Sequence, residues 1–230
     1  MVRTDWTLLE RLKSDVSIIE RIKRRIKHHR KSIFLKKNGE ILLSKIDSIF
    51  SNLGFDYWID YGTLLGAIRE KDFIKYDDDI DIGTYALEKN DINKLIEAFK
   101  KEKFILKEMV FADKTLVIQK YYYSFFCVDV FFYQKTSNYE ILTYAFSSDK
   151  ETISDEKGTK NLVVWKSKNI IRSLKKVKFK NTYVNIPSNY AEYLKNYYGE
   201  NFYEKIKLFN WQKMPTYKKI KIRGSSINVF

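Results

Sequence analysis

Residues 73–83, FIKYDDDIDIG, restrict the fold more than any other part of the chain. Side chains alternate across a strand, so Asp79-Ile80-Asp81-Ile82 satisfies both residue types only if the isoleucines enter a core and the aspartates face the other way. Two carboxylates on one face, about 7 Å apart at twice the rise per residue, repel each other unless a cation lies between them. Such a pair suits a magnesium site that handles phosphates. A calcium loop beginning at Asp77 would need glycine sixth and glutamate twelfth; the sixth residue is Ile82, which excludes it. An acidic surface turn is the competing reading, and the interleaved apolar residues favour a buried strand.

At 230 residues the chain is long enough for a real core, and 44% hydrophobic with 16% aromatic residues argues against disorder. Cys127 is its only cysteine, which excludes an internal disulfide and a multi-cysteine zinc site and makes a reducing cytoplasm the default compartment. The net charge of +14 is uneven: residues 1–50 carry 13 Lys and Arg against 6 acids, residues 51–156 carry 13 against 20, and residues 157–230 carry 17 against 3. An acidic centre therefore lies between basic ends, where an anionic partner would bind. No apolar run approaches the roughly 20 residues of a membrane span, and the first residues lack a secretory core, so a soluble or peripherally attached protein is expected.

Leu9, Leu12, Val16, Ile19, Ile22 and Ile26 recur at helical spacing and lead into the basic run RIKRRIKHHRKS, an amphipathic extension assigned to residues 1–38. Packing on its own domain is the favoured reading, and contact of Arg24, Arg25, Arg30 and Lys31 with acidic lipid headgroups is the alternative. His28 and His29 are read as solvated. A catalytic domain is assigned to residues 39–230. It opens with a second helix over residues 40–53, then a strand at residues 55–61, the helix GTLLGAIRE, the acidic strand, and a helix capped by Asn90 or Asp91. Strands follow at KFILKEMVF and in TLVIQKYYYSFFCVDVFFY, the latter a hairpin turning near Tyr123 and Ser124. Residues 147–161 read as a polar loop, VKFKNTYVNIP as a hairpin, and NYAEYLKNYY as a helix ending at Gly199.

Asp129 interrupts a nearly continuous apolar strand, where a carboxylate is costly without a cation or hydrogen-bond donors, so it is a candidate third ligand. Gly62 and Thr63 open a helix whose free N–H groups could hold a phosphate. In order, these parts resemble the nucleotidyltransferase fold of the polymerase-beta type: an α+β mixed sheet core flanked by helices, here with an N-terminal helical extension.

The segment DYGTLLGAIREKDFIKYDDDIDIG, with VDVFFY and VKFKNTYVNIPSNYAEYLKNYYGENF, resembles the LicD family, which includes fukutin and fukutin-related protein. That resemblance implies transfer of a substituted phosphate, of the phosphocholine or polyol phosphate type, from a CDP-linked donor to a hydroxyl of a glycan or lipid-linked glycan, with release of CMP. It implies Mg2+ or Mn2+ on Asp79, Asp81 and Asp129, with Gly62 and Thr63 on the donor diphosphate. Arg69 and Lys75 are candidate phosphate contacts; Asp129 either completes the metal site or accepts the hydroxyl proton, with Asp77 or Asp78 as the alternative base. The chain departs from the family pattern at residues 70–72 and at Tyr76. Family and charge together imply a cytoplasmic protein held at the inner membrane surface. The competing functions are transfer of a nucleoside monophosphate with release of pyrophosphate and, less favoured, nonenzymatic nucleic-acid binding.

Overall fold

The computed structural model describes residues 6–75, 77–147, 160–205 and 211–229. The expected polar loop falls almost wholly outside them, as does Tyr76. The order of elements is α1 (Trp6–Leu53), β1 (Tyr57–Ile59), α2 (Tyr61–Arg69), β2 (Asp79–Tyr85), α3 (Lys89–Lys101), β3 (Ile105–Ala112), β4 (Thr115–Tyr123), β5 (Phe126–Lys135), β6 (Glu140–Ser147), β7 (Lys160–Ile170), β8 (Leu174–Phe179), β9 (Thr182–Pro187), α4 (Tyr190–Tyr198) and β10 (Tyr217–Asn228). This is an α+β protein with a large mixed sheet.

Two helices were expected before residue 54, and one is present: α1 runs unbroken through residue 38 and ends beside Gly54 at φ 69°. Its C-terminal half carries Leu35, Leu42, Leu43, Ile46 and Phe50 into the main core. Two further boundaries differ from the sequence expectation. β1 is trimmed to three residues because Asp60 leaves the sheet to cap α2, and α3 starts at Lys89 with Glu88, not Asn90 or Asp91, at its N-cap. Among the described residues, no helix is long and apolar enough to cross a membrane.

Eight strands form one sheet in the order β1-β2-β5-β4-β3-β10-β7-β6, and β8 with β9 forms a separate hairpin. The pair β2 and β5 is parallel and every other pair is antiparallel. Because β6 also pairs with the far end of β5 at Gln134 and Lys135, the sheet curls until six strands close on themselves. One side of β2 and β5 presents Ile80, Ile82, Val128 and Val130 to α1 and α3; the other lines the space inside the curl. The alternation of apolar and acidic residues in β2 thus becomes a wall with a core behind it and a cavity in front.

Candidate active site

The register of the sheet builds the site. Asp81 of β2 lies directly beside Asp129 of β5, and Asp129 in turn faces Lys120 of β4, which faces Glu108 of β3. A single row across four strands therefore reads Asp, Asp, Lys, Glu. Carboxylate oxygens of Asp79, Asp81 and Asp129 all lie within 4.8 Å of one another. Lys120 Nζ stands 3.7 Å from Asp129 and 3.8 Å from Glu108.

The start of α2 holds this row in place. Gly62 N–H donates to Asp81 Oδ2 at 3.1 Å, and the Asp81 N–H donates to Thr63 Oγ1 at 2.9 Å. The Asp60 N–H also donates to the Asp81 carbonyl at 2.9 Å. Gly62 lines the cavity, whereas Thr63 is fully buried beneath it, so here both residues act on Asp81. The glycine is a spatial requirement: a Cβ there would stand 2.8 Å from Asp77 Oδ2.

Asp77 and Asp78, indistinguishable by sequence, point to different places. Asp77 lines the cavity with a buried Oδ2 that has no hydrogen-bond partner among the described residues. Asp78 pairs instead with Lys31 Nζ at 3.2 Å and His28 Nδ1 at 3.1 Å, both on α1. His28 is exposed, as expected, and also reaches the loop leading into β2. Arg69 and Lys75 lie outside the cavity. The Arg69 guanidinium donates to Glu70 at 3.0 Å and to the Glu204 carbonyl at 3.3 Å; Lys75 lines a groove between α1 and residues 70–75.

The electrostatics follow from burial. Loss of water, then the neighbouring carboxylate of Asp129, pushes Asp79 up to about 6. Asp81 is raised well above the ordinary carboxylate range, by burial first and then by Asp79 and Asp77. Burial and the charges of Asp79 and Asp78 push Asp77 up to about 8. Asp129 is raised by burial, against which Lys120 and the Cys127 thiol work; that thiol donates to Asp129 Oδ1 at 2.9 Å. Burial opposes the charge of Lys120, yet Asp129 and Glu108 outweigh it and raise the amine. Five carboxylates, of Asp77, Asp79, Asp81, Glu108 and Asp129, thus line one cavity with the single amine of Lys120 among its lining residues.

Hard oxygen donors in this arrangement fit Mg2+ or Mn2+. The fit rests on the three converging oxygens and on the unpartnered Asp77 Oδ2, groups that a cation would relieve. The cavity, about 680 Å³, runs from the aspartates to an aromatic wall that includes Tyr61, Phe131, Tyr197, Trp211 and Tyr217.

Sequence reasoning missed Lys120, Glu108 and Asp60. Lys120 and Glu108 carried a faint signal, as charged residues among apolar ones in two strands. Asp60 carried none beyond its place before Tyr-Gly-Thr. It is fully buried, accepting from Tyr61 N–H at 2.8 Å, from Tyr193 Oη at 2.9 Å and from Tyr133 Oη, while Trp58 Nε1 donates to Tyr193 Oη at 3.2 Å. Burial raises Asp60 to about 6 against those donors.

An α+β protein whose acid-lined cavity lies on a parallel strand pair, beside a helix start, is the class that these features define. Residues 54–189 match the family described as LicD/FKTN/FKRP, nucleotidyltransferase domain, and the chain belongs to this family. It is also 29% identical over 109 residues, 47% of its length, to an uncharacterised protein of Rickettsia prowazekii. A second uncharacterised protein, of Rickettsia typhi, is 30% identical over 94 residues, 41% of the chain. These matches span only 38% and 28% of the two relatives' own lengths.

Proposed function

We propose that this chain transfers a substituted phosphate from a CDP-linked donor to a hydroxyl of a glycan or lipid-linked glycan and releases CMP. The observation that carries this reading is the convergence of Asp79, Asp81 and Asp129 on the wall of a cavity large enough for a nucleotide-linked headgroup. Asp79, Asp81 and Asp129 would hold Mg2+ or Mn2+, which would supply neutralisation of the diphosphate charge.

The chain's own groups account for the rest. Lys120 projects into the cavity beside Asp129, positioned to meet a phosphate oxygen of the donor. The acceptor oxygen forms a bond to the phosphorus that bears the headgroup, while the bond from that phosphorus to the CMP oxygen breaks in line. Asp77, whose carboxylate lines the cavity, takes the proton of the acceptor. Gly62 and Thr63 keep Asp81 oriented, and the absence of a side chain at Gly62 makes room for the Asp77 carboxylate. The sole cysteine, buried against Asp129, is consistent with a reducing cytoplasm.

Product identity tests this directly. Incubation with CDP-linked choline, ribitol, glycerol and ethanolamine, an acceptor glycan and Mg2+ should release CMP. Pyrophosphate from nucleoside triphosphates, with no CMP from any CDP-linked donor, would instead assign nucleoside monophosphate transfer.

A further inference from the structure

Among the described residues, the face of α1 turned away from the core carries an apolar stripe without a partner. Ile22, Ile26 and Ile33 are 51%, 56% and 44% exposed. At 3.6 residues per turn they fall within about 40° of one another, and Leu35, Leu42 and Ile46, which enter the core, lie roughly half a turn away. Exposed Lys23, Arg30 and Lys37 flank the stripe on one side, and exposed Arg25 and Lys36 flank it on the other. From Ile22 to Lys37 the sequence has eight Lys and Arg and no acid. Among the described residues, Lys31 alone of these forms an ion pair, and it does so on the opposite face, with Asp78. Arg30 lies 5.5 Å from the ring centre of Phe125, itself an exposed aromatic that extends the apolar surface beside the helix.

We propose that this face of α1 is a docking surface for an anionic lipid bilayer. An apolar stripe bordered on both sides by cations is what a helix lying in a headgroup layer requires: the isoleucines enter the acyl boundary and the Lys and Arg stems reach phosphates. The excess of positive charge selects an anionic surface, with each basic residue near it contributing attraction that salt weakens. Docking leaves His28 and Lys31 on Asp78, so the membrane-facing helix remains joined to the loop that enters the site. This surface lies beyond the catalytic reading and stands or falls separately from it.

Vesicle sedimentation of the full chain, without donor or divalent ion, tests the proposal. The protein should sediment with phosphatidylglycerol/phosphatidylcholine vesicles and remain in solution with phosphatidylcholine alone. Combined Ile22→Ser, Ile26→Ser and Ile33→Ser should lower the partition at least about tenfold with the charges intact. Combined Lys23→Gln and Lys37→Gln should lower it by about fivefold or more per charge. All these positions are exposed, so an unchanged unfolding midpoint is expected and serves as the folding control. Three results would overturn the proposal: no preference for phosphatidylglycerol, undiminished binding by the triple serine variant, which would mean charge adhesion alone, or conversion of a dimer to a monomer by that variant, which would make a second copy the occupant.

Discussion

At the scale of single residues, position in the ladder separates aspartates that look alike in sequence. Asp81 and Asp129 are side by side because β2 and β5 are parallel and in register, whereas Asp78, between two cavity residues, belongs to α1 through Lys31 and His28. Replacement of a buried, crowded carboxylate by an amide removes repulsion but also a ligand. Asp81→Asn should therefore raise the thermal midpoint of the metal-free protein, abolish the further rise on adding Mn2+, and cut transfer by about 100-fold or more. Calorimetric scans with and without Mn2+ and turnover assays read the two effects separately. Lys120→Met should behave differently. Loss of the amine removes a competitor for Asp129, so Mn2+ affinity should hold or increase, while kcat/KM for the donor falls about tenfold to 100-fold.

At the scale of elements, Asp60 and Gly83 join parts that sequence order separates. Asp60 caps α2 and accepts from Tyr133 of β5 and Tyr193 of α4, so one buried carboxylate ties three elements together. Its folded pKa of about 6 exceeds the ordinary 3.8, so the native state holds the proton more tightly and stability falls as pH rises through that window. Above pH 6 the ionised group costs about 3 kcal/mol relative to acid conditions. Asp60→Asn lacks this titration, and the stability of the wild type relative to the variant should decline by about that amount between pH 4 and 7 in urea unfolding. Gly83 pairs with Trp58, whose ring covers it so closely that a Cβ would stand 2.3 Å from Trp58 Cε2. Gly83→Val should cost about 1–3 kcal/mol or more by forcing the indole from its bond to Tyr193.

These elements also show what the sequence revealed. The acidic strand, the helix after Asp60, the hairpin turning at Ser124 with φ 57° and the helix ending at Gly199 were legible because alternation, helical spacing and turn residues are local signals. The fusion of two expected helices into α1 was not, since Asn38 and Gly39 look like a break. Gly39 is tolerated there because the Phe73 ring packs on it: a Cβ would stand 2.5 Å from Phe73 Cε2. The Asp-Asp-Lys-Glu row was only half legible, because it depends on the pairing of β3, β4 and β5 with β2, which no local pattern specifies.

At the scale of the whole molecule, the uneven charge takes on a spatial meaning. The acidic centre of the sequence supplies the cavity wall, and the first basic segment supplies α1, which touches that wall through Asp78 and presents cations and isoleucines on its far side. The curled sheet places the carboxylates at one end of an aromatic-lined cavity. Asp79, Asp81 and Asp129 are proposed to form one divalent-cation site to which Asp78 does not belong. Mn2+ affinity, measured by titration calorimetry on the wild type and on single Asn variants at these four positions, tests it most directly. The account predicts that Asp79→Asn, Asp81→Asn and Asp129→Asn each weaken Mn2+ binding about tenfold or more, while Asp78→Asn leaves it near the wild-type value. Wild-type affinity in Asp81→Asn, or a loss in Asp78→Asn equal to that of the other three, would contradict it.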